Sequence, residues 1–321
     1  MNILVTAVGS ELAFSVIKAL KLATFPFKLY GSDINAEVAG KYWCDKFYKV
    51  PLAKDEAAYI HKLKEIVQSE GINAIIPTND VEILTLSRYK EEFQNSFNCL
   101  IITNPSEEVE RFNDKWLSYL WFDENNIPCP KTFLIRDLMS TESNLSGLTF
   151  PMILKPRIGG GSRSIFRINS HDDLKKYSIV MPDHVLQEYL YPDHEEYTAG
   201  VYRTMKDEVF VIILKRTLKF GMTNTAETVF DSGLENFVRQ SILKTKLSGS
   251  VNIQFRLTDK GPKVLEINPR FSGTTGIRAH FGFNDVEMSI NELIINHKLA
   301  QPEIKKGFVL RYFEEQYHFV N

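Results

Sequence analysis

Gln254-Phe255-Arg256-Leu257, a short turn, and then Val264-Leu265-Glu266-Ile267-Asn268-Pro269-Arg270 decide how this chain reads. Apolar residues (Val251, Ile253, Phe255, Leu257) alternate with polar ones (Asn252, Gln254, Arg256), the period-two pattern of a half-buried strand. From 264 to 268 the alternation puts Leu265 and Ile267 on one side, Glu266 and Asn268 on the other. Asp259-Lys260-Gly261-Pro262 is turn chemistry. A hairpin symmetric about Lys260 sets Gln254 opposite Glu266 and Asn252 opposite Asn268, with facing Cβ atoms roughly 5 Å apart. One face then carries four oxygen-bearing side chains. Such a face suits Mg²⁺, which takes oxygen ligands and commonly keeps phosphate oxygens in its shell. The bland alternative is a solvated polar face. Two features favour the metal: Asn-Pro-Arg ends the ladder and brings a guanidinium beside the carboxylate, and further phosphate-binding parts lie upstream.

With 321 residues the length prior is about two domains or several subdomains, and 44% hydrophobic with 24% charged residues is ordinary globular composition. A net charge of −2 without a basic run predicts no nucleic-acid partner. No apolar stretch approaches the roughly 20 residues that span a bilayer, and the N-terminus enters a strand at once without a signal-peptide pattern. Cys44, Cys99 and Cys129 are odd in number and widely spaced, against a disulfide framework or zinc knuckle. A cytoplasmic location is expected.

The first hundred residues alternate strands (3–5, 28–33, 74–77, 100–102) with helices (11–23, 57–69, 81–93), which predicts a parallel sheet covered on both faces. Ala7-Val8-Gly9-Ser10 has one glycine where a dinucleotide loop has three, so a tight turn is the simpler reading. Thr78-Asn79-Asp80 falls on the carboxyl edge, either as a ligand-binding segment or as a helix cap. A helical run covers 107–125. Phe150 to Pro156 is a strand bringing Lys155 to its end, and Gly159-Gly160-Gly161-Ser162 forms a hairpin tip before the strand pattern resumes at 165–168. Such a tip is either a plain turn or a loop whose N–H groups approach phosphate. Val185 to Leu190 is a strand leading into Tyr191-Pro192-Asp193-His194-Glu195-Glu196.

The order Asp114-Lys115, Lys155-Pro156 with its glycine loop, Gln187-Glu188-Tyr189-Leu190, Glu196-Tyr197-Thr198, Asn252 to Phe255 and Glu266 to Arg270 resembles the ATP-grasp superfamily, in the branch like the large subunit of carbamoyl-phosphate synthetase. The resemblance implies an α/β chain. A Rossmann-like pre-ATP-grasp domain (1–108) precedes an ATP-grasp fold of two α+β subdomains, a small lid subdomain with its linking helix (109–190) and a metal-bearing C-terminal subdomain (191–321). It implies ATP and Mg²⁺ or Mn²⁺ as cofactors. Lys115 and Lys155 would contact phosphates, with Gly159, Gly160, Gly161 and Ser162 as the lid. Glu188, Tyr189 and Leu190 would border adenine, Glu196 would hold the ribose with Glu195 as rival, and Gln254, Glu266 and Asn268 would hold metal. Arg270 and Lys155 would act on the transferring phosphoryl group. Where many relatives carry a carboxylate, Gln254 is neutral, which leaves most of the metal affinity to Glu266.

The implied reaction is ADP-forming ligation of a small-molecule carboxylate to an amine through an acylphosphate, needing positioning and charge rather than a side-chain nucleophile. A homodimer is admitted. The alternatives are an ATP-binding regulatory or partner subunit with little turnover, and an oxidoreductase using the N-terminal sheet. Lys215, Arg216, Thr223, Ser272, Gly273, Thr274 and Thr275 are the expected pocket lining, with Arg216 or Arg270 for the carboxylate. His194 and His280 read as structural more readily than catalytic.

Overall fold

The computed structural model describes residues 1–138, 147–159, 164–312 and 314–317. Five short strands open the chain: β1 (Asn2–Val5), β2 (Lys28–Asp33), β3 (Lys46–Lys49), β4 (Ala74–Ile76) and β5 (Leu100–Ile101). They pair in parallel in the order β3-β2-β1-β4-β5. Parallel strands need crossover segments rather than tight turns. These are supplied by α1 (Glu11–Leu20), α2 (Glu56–Glu70), α3 (Asp80–Ser87) and α4 (Lys90–Phe97). The expected single helix over 81–93 is thus two. Ser87 bonds back to the Leu84 carbonyl at 2.8 Å, while Arg88 and Tyr89 reach Glu56 at 2.8 and 2.9 Å, which breaks the run.

The 107–125 run also divides, into α5 (Ser106–Asn113) and α6 (Lys115–Glu124). Asp114 lies between them in extended backbone (φ −99°, ψ 113°). One carboxylate oxygen caps α6 through the N–H groups of Trp116 and Leu117 at 2.9 and 3.2 Å, and the other accepts Arg157 Nε at 2.7 Å. The second sheet follows: β6 (Thr132–Leu134), β7 (Met152–Pro156), β8 (Phe166–Ile168) and β9 (His184–Glu188), antiparallel in the order β6-β9-β7-β8. Helices α7 (Ile135–Leu138) and α8 (His171–Val180) bury Ile135, Leu138 and Leu174 against Met152, Leu154, Ile168 and Leu186. Strands β7 and β8 pair antiparallel, as the hairpin reading expects, and Gly160, Gly161 and Ser162 of its tip lie outside the described residues.

The third sheet has six antiparallel strands in the order β14-β13-β10-β11-β12-β15. They are β10 (Glu196–Arg203), β11 (Val209–Lys219), β12 (Met222–Val229), β13 (Gly249–Thr258), β14 (Gly261–Asn268) and β15 (Phe308–Leu310). Along one face Ala199, Val201, Val251, Ile253 and Phe255 pack on Leu234, Val238 and Ile242 of α9 (Ser232–Leu243) and on Phe112 and Phe122. The other face meets α10 (Thr275–His280) and α11 (Asp285–Ile290). There a fully buried ion pair joins the two helices to β13. Arg278 Nη2 bonds Asp285 Oδ2 at 2.5 Å, Ser250 donates to the same oxygen at 2.5 Å, and Arg278 Nη1 reaches Asn252 Oδ1 at 3.1 Å. Gly200 makes room for it, since a Cβ there would lie 2.3 Å from Arg278 Cδ.

Among the described residues no helix is long and apolar enough to cross a membrane. Removing one partner of a buried pair strands the other charge, so Asp285→Ala should lower unfolding free energy by about 3–5 kcal/mol in a denaturant titration. A loss under about 1 kcal/mol would show that the pair does not tie the helices to the sheet.

Candidate active site

The β13–β14 hairpin sets Asn252 opposite Asn268 and Gln254 opposite Glu266, as the symmetric reading anticipates, but reaches that register differently. The turn closes between Thr258 and Gly261, and a bulge restores register, because Phe255 pairs with Val264 and Leu265 is left over. The expected alternation is corrected here. Val264 and Ile267 belong to the core, so Leu265 and Glu266 share the opposite side as neighbours. An apolar wall and a carboxylate therefore adjoin at the bulge.

Lys155 ends β7 on the facing sheet. Its Nζ donates to Gln187 Oε1 at 2.8 Å, and Gln187 is in turn fixed by Thr132 at 2.8 Å. Loss of solvation pulls the ammonium down to about 8; Glu266 pushes the other way, and Lys115 adds to the lowering. That mutual field brings Lys155, Lys115 and Glu266, from three separate elements, to one place. Lys115 heads α6, with its N–H on the Arg157 carbonyl at 3.0 Å and its Nζ on the Gly159 carbonyl at 2.5 Å. A cavity between the sheets is lined by Lys115, Tyr119, Cys129, Gln187, Leu265 and Glu266.

The expected adenine and ribose residues lie nearby, held by partners that the sequence did not disclose. Lys263 Nζ sits 2.9 Å from both oxygens of Glu188. Tyr189 donates to Asp193 at 2.6 Å, and the Leu190 carbonyl accepts Arg256 Nη1 at 2.8 Å. Glu196 is gripped from both sides, by Arg216 Nη2 at 3.0 Å and Arg256 Nη2 at 2.8 Å. Its rival Glu195 takes Lys215 and the Tyr197 hydroxyl, each at 2.5 Å. Ribose hydroxyls at either carboxylate would share it with cations. Gln254 Oε1 also accepts Arg216 Nη2, at 2.8 Å. Sequence reading placed Arg216 in the pocket lining and as a candidate for the substrate carboxylate, not on Glu196; β11 lies beside β10, and that neighbour relation is what carries Arg216 to Glu196.

Arg270 turns toward the N-terminal sheet. Its Nε bonds Asp80 Oδ1 at 2.7 Å and its Nη1 the Phe271 carbonyl at 3.0 Å. Asn79 caps α3 through the Val81 N–H at 3.0 Å, which leaves Asp80 free for this pairing across the two parts of the chain. Arg270, Asp80, Asn113 and Asn268 border a second cavity. Ser272, Thr274 and Thr275 bond one another in a buried turn, and the Gly273 carbonyl accepts Ser15 at 3.0 Å, so this segment cements the N-terminal domain to the third sheet. Near the first turn, Asp33 accepts the Gly9 N–H at 2.9 Å, using inwardly the acid a dinucleotide would need. His194 and His280 are exposed. Burial raises Cys44 and Cys99 to about 12 and Cys129 to about 11, so none offers a thiolate near neutral pH.

No group of three His, Cys, Asp or Glu side chains is placed to hold a metal among the described residues. The fitting set is one carboxylate with amides. The Glu266 carboxylate faces Lys155 through space but forms no hydrogen bond or salt bridge among the described residues. Asn268 is buried with its amide nitrogen unpartnered. A carboxylate without a hydrogen bond among the described residues suits a hard cation that completes its shell with phosphate oxygens, while the Asn268 N–H group lacks the acceptor that a phosphate oxygen would supply.

Residues 180–316 match the family model "ATP-grasp in the biosynthetic pathway with Ter operon", and residues 3–101 match "PylC-like, N-terminal domain". The chain is 22% identical over 280 residues to the carbamoyl phosphate synthase large chain of Pyrococcus furiosus, covering 81% of this chain and 26% of that one. Its 26% match to an uncharacterised Mycoplasma genitalium protein covers 53% of this chain and 55% of that protein, so the chain spans about half of that relative. Among solved structures, N5-carboxyaminoimidazole synthetase of Staphylococcus aureus complexed with ADP superposes with a TM-score of 0.75 at 15% identity, covering 94% of this chain and 79% of that one. The biotin carboxylase domain of Hydrogenobacter thermophilus 2-oxoglutarate carboxylase, complexed with MgADP and bicarbonate, gives 0.75 at 14% identity over 95% and 73%. Two antiparallel sheets facing each other behind a five-stranded parallel sheet agree with both matches: an ATP-grasp segment over 180–316 follows a PylC-like N-terminal domain over 3–101.

Proposed function

We propose that the protein is a cytoplasmic ATP-dependent, ADP-forming ligase that joins a small-molecule carboxylate to an amine through an acylphosphate. The observation that supports it most is the approach of Lys155 and Glu266 from opposite sheets, with Lys115 joining the same field. Adenine enters the cavity beside Leu265, and the segment Glu188 to Leu190 borders it. Lys155 and Lys115 neutralise phosphate oxygens, with Gly159 beside them, its carbonyl on Lys115 Nζ. Glu266 and Asn268 would supply oxygens for Mg²⁺, which when bound offsets charge on the phosphates, and Gln254 stands in the same row. Arg270, anchored by Asp80, presents its guanidinium at the cavity it shares with Asn268, where the substrate carboxylate and the transferring phosphoryl group meet. Phosphoryl transfer of this kind needs placement and fixed charge, and the raised cysteines supply no competing nucleophile.

Three outcomes follow. Purified protein should form ADP with some pair from a panel of acids and amines; tight ATP binding with no ADP across a broad panel would favour a nucleotide-binding regulatory subunit. Glu266→Ala should abolish ATP turnover while thermal unfolding stays near that of the parent, and near-normal activity would refute its role. Lys155 must be charged to hold phosphate, and its pKa in the free protein is lowered to about 8, so ATP affinity should fall as pH rises through 8. Lys155→Ala should weaken binding by about 1–3 kcal/mol at neutral pH and flatten that profile; an unchanged affinity would mean that the lysine serves only the hairpin.

A further inference from the structure

We propose that the phosphate site takes one divalent cation rather than two, and that the Arg216 guanidinium stands where a second would sit. The inference rests on the nucleotide reading above. Gln254 faces Glu266 across the β13–β14 ladder, and its Oε1 is the oxygen that a second cation would need to share. That oxygen already accepts Arg216 Nη2 at 2.8 Å. The same nitrogen lies 3.0 Å from Glu196 Oε1, so a single guanidinium corner bridges the amide and the carboxylate.

Arg216 is fixed in this position. Its side chain is 8% exposed, and it rises from β11, one strand beyond β10. A guanidinium does not lose its proton in a protein, so the charge is permanent. Glu196 cannot swing toward a metal, because Arg256 Nη2 holds its other oxygen at 2.8 Å and Arg256 itself is tied to the Leu190 carbonyl at 2.8 Å. Mg²⁺ demands oxygen ligands in near-octahedral array at about 2.0–2.1 Å. At Gln254 it would meet a neutral donor already polarised toward a cation, with that cation against it.

Among the described residues no guanidinium bonds the side chain of Glu266 or Asn268, although the Lys155 ammonium faces Glu266 from the second sheet. Their oxygens are the Glu266 carboxylate, without a hydrogen bond among the described residues, and the side-chain carbonyl of the buried Asn268, both on β14 and two residues apart. Gln254 is therefore a positioning residue: it aims Arg216 at the phosphates rather than ligating metal. A built-in cation on one flank and a mobile one on the other would neutralise the triphosphate. Activation would then saturate with the metal–nucleotide complex, without a further requirement for free metal.

The test is a Mn²⁺ titration followed by electron paramagnetic resonance, with the full chain and an imido-bridged, non-hydrolysable ATP analogue. The unaltered protein should retain one tightly bound Mn²⁺ per nucleotide, with an uncoupled spectrum. Two Mn²⁺ ions with spin coupling would overturn the proposal and leave the nucleotide reading standing. Failure to hold any Mn²⁺ beyond what the free nucleotide holds would remove that reading, and the inference with it. In the double variant Arg216→Gln with Gln254→Glu, the blocking charge is gone and a carboxylate faces Glu266. That variant should hold two coupled Mn²⁺ ions; a folded double variant that stays at one would also overturn the proposal. Should it fail to fold, the count on the unaltered protein decides alone.

Discussion

A single bulged residue in β14 governs the chemistry that this fold can offer. Without the extra residue at Leu265, the register set by the Thr258–Gly261 turn would shift every side chain of the strand by one. Glu266 would then point into the core built by Val264, Ile267 and Phe255, where an unpaired carboxylate is prohibitively costly. The bulge instead keeps Ile267 inside and places Leu265 and Glu266 together on the face that meets the second sheet.

From that constraint the remaining parts acquire their meaning. Lys155 is brought to Glu266 by a different sheet, whose inner strand β9 also supplies Gln187 to hold its ammonium. Asp114 ties two pieces of the site together: it caps α6 and binds Arg157 next to Gly159, so the lysine at 115 and the loop at 159 are placed by one carboxylate. On the far side, Asp80 and Glu11 reach from the N-terminal domain to Arg270 and Arg311, so the first sheet closes the end of the cleft. The buried Arg278–Asp285 pair behind β13 holds the sheet's rear against α10 and α11.

Much of this was legible in the sequence because local patterns carry it. The facing pairs 254–266 and 252–268 follow from alternation and a turn, and the parallel N-terminal sheet follows from alternating strand and helix signals. What the sequence concealed depends on contacts between distant strands. The bulge at Leu265 cannot be read from alternation, since a bulged strand and a regular one have the same composition. The grip of Arg216 and Arg256 on Glu196 depends on the strand order β13-β10-β11, which no local motif states. The bridging role of Asp114 was hidden for another reason: helix signals flank it on both sides, and Arg157, which its carboxylate binds, lies 43 residues away.

The most direct measurement of the central claim is a crystal structure with Mn²⁺ and a non-hydrolysable ATP analogue, read by anomalous scattering at the manganese edge. The account predicts the triphosphate between the second and third sheets, with Lys155 Nζ on its oxygens and anomalous density bound by Glu266. Nucleotide docked on the carboxyl edge of the N-terminal sheet, or manganese away from Glu266, would contradict it.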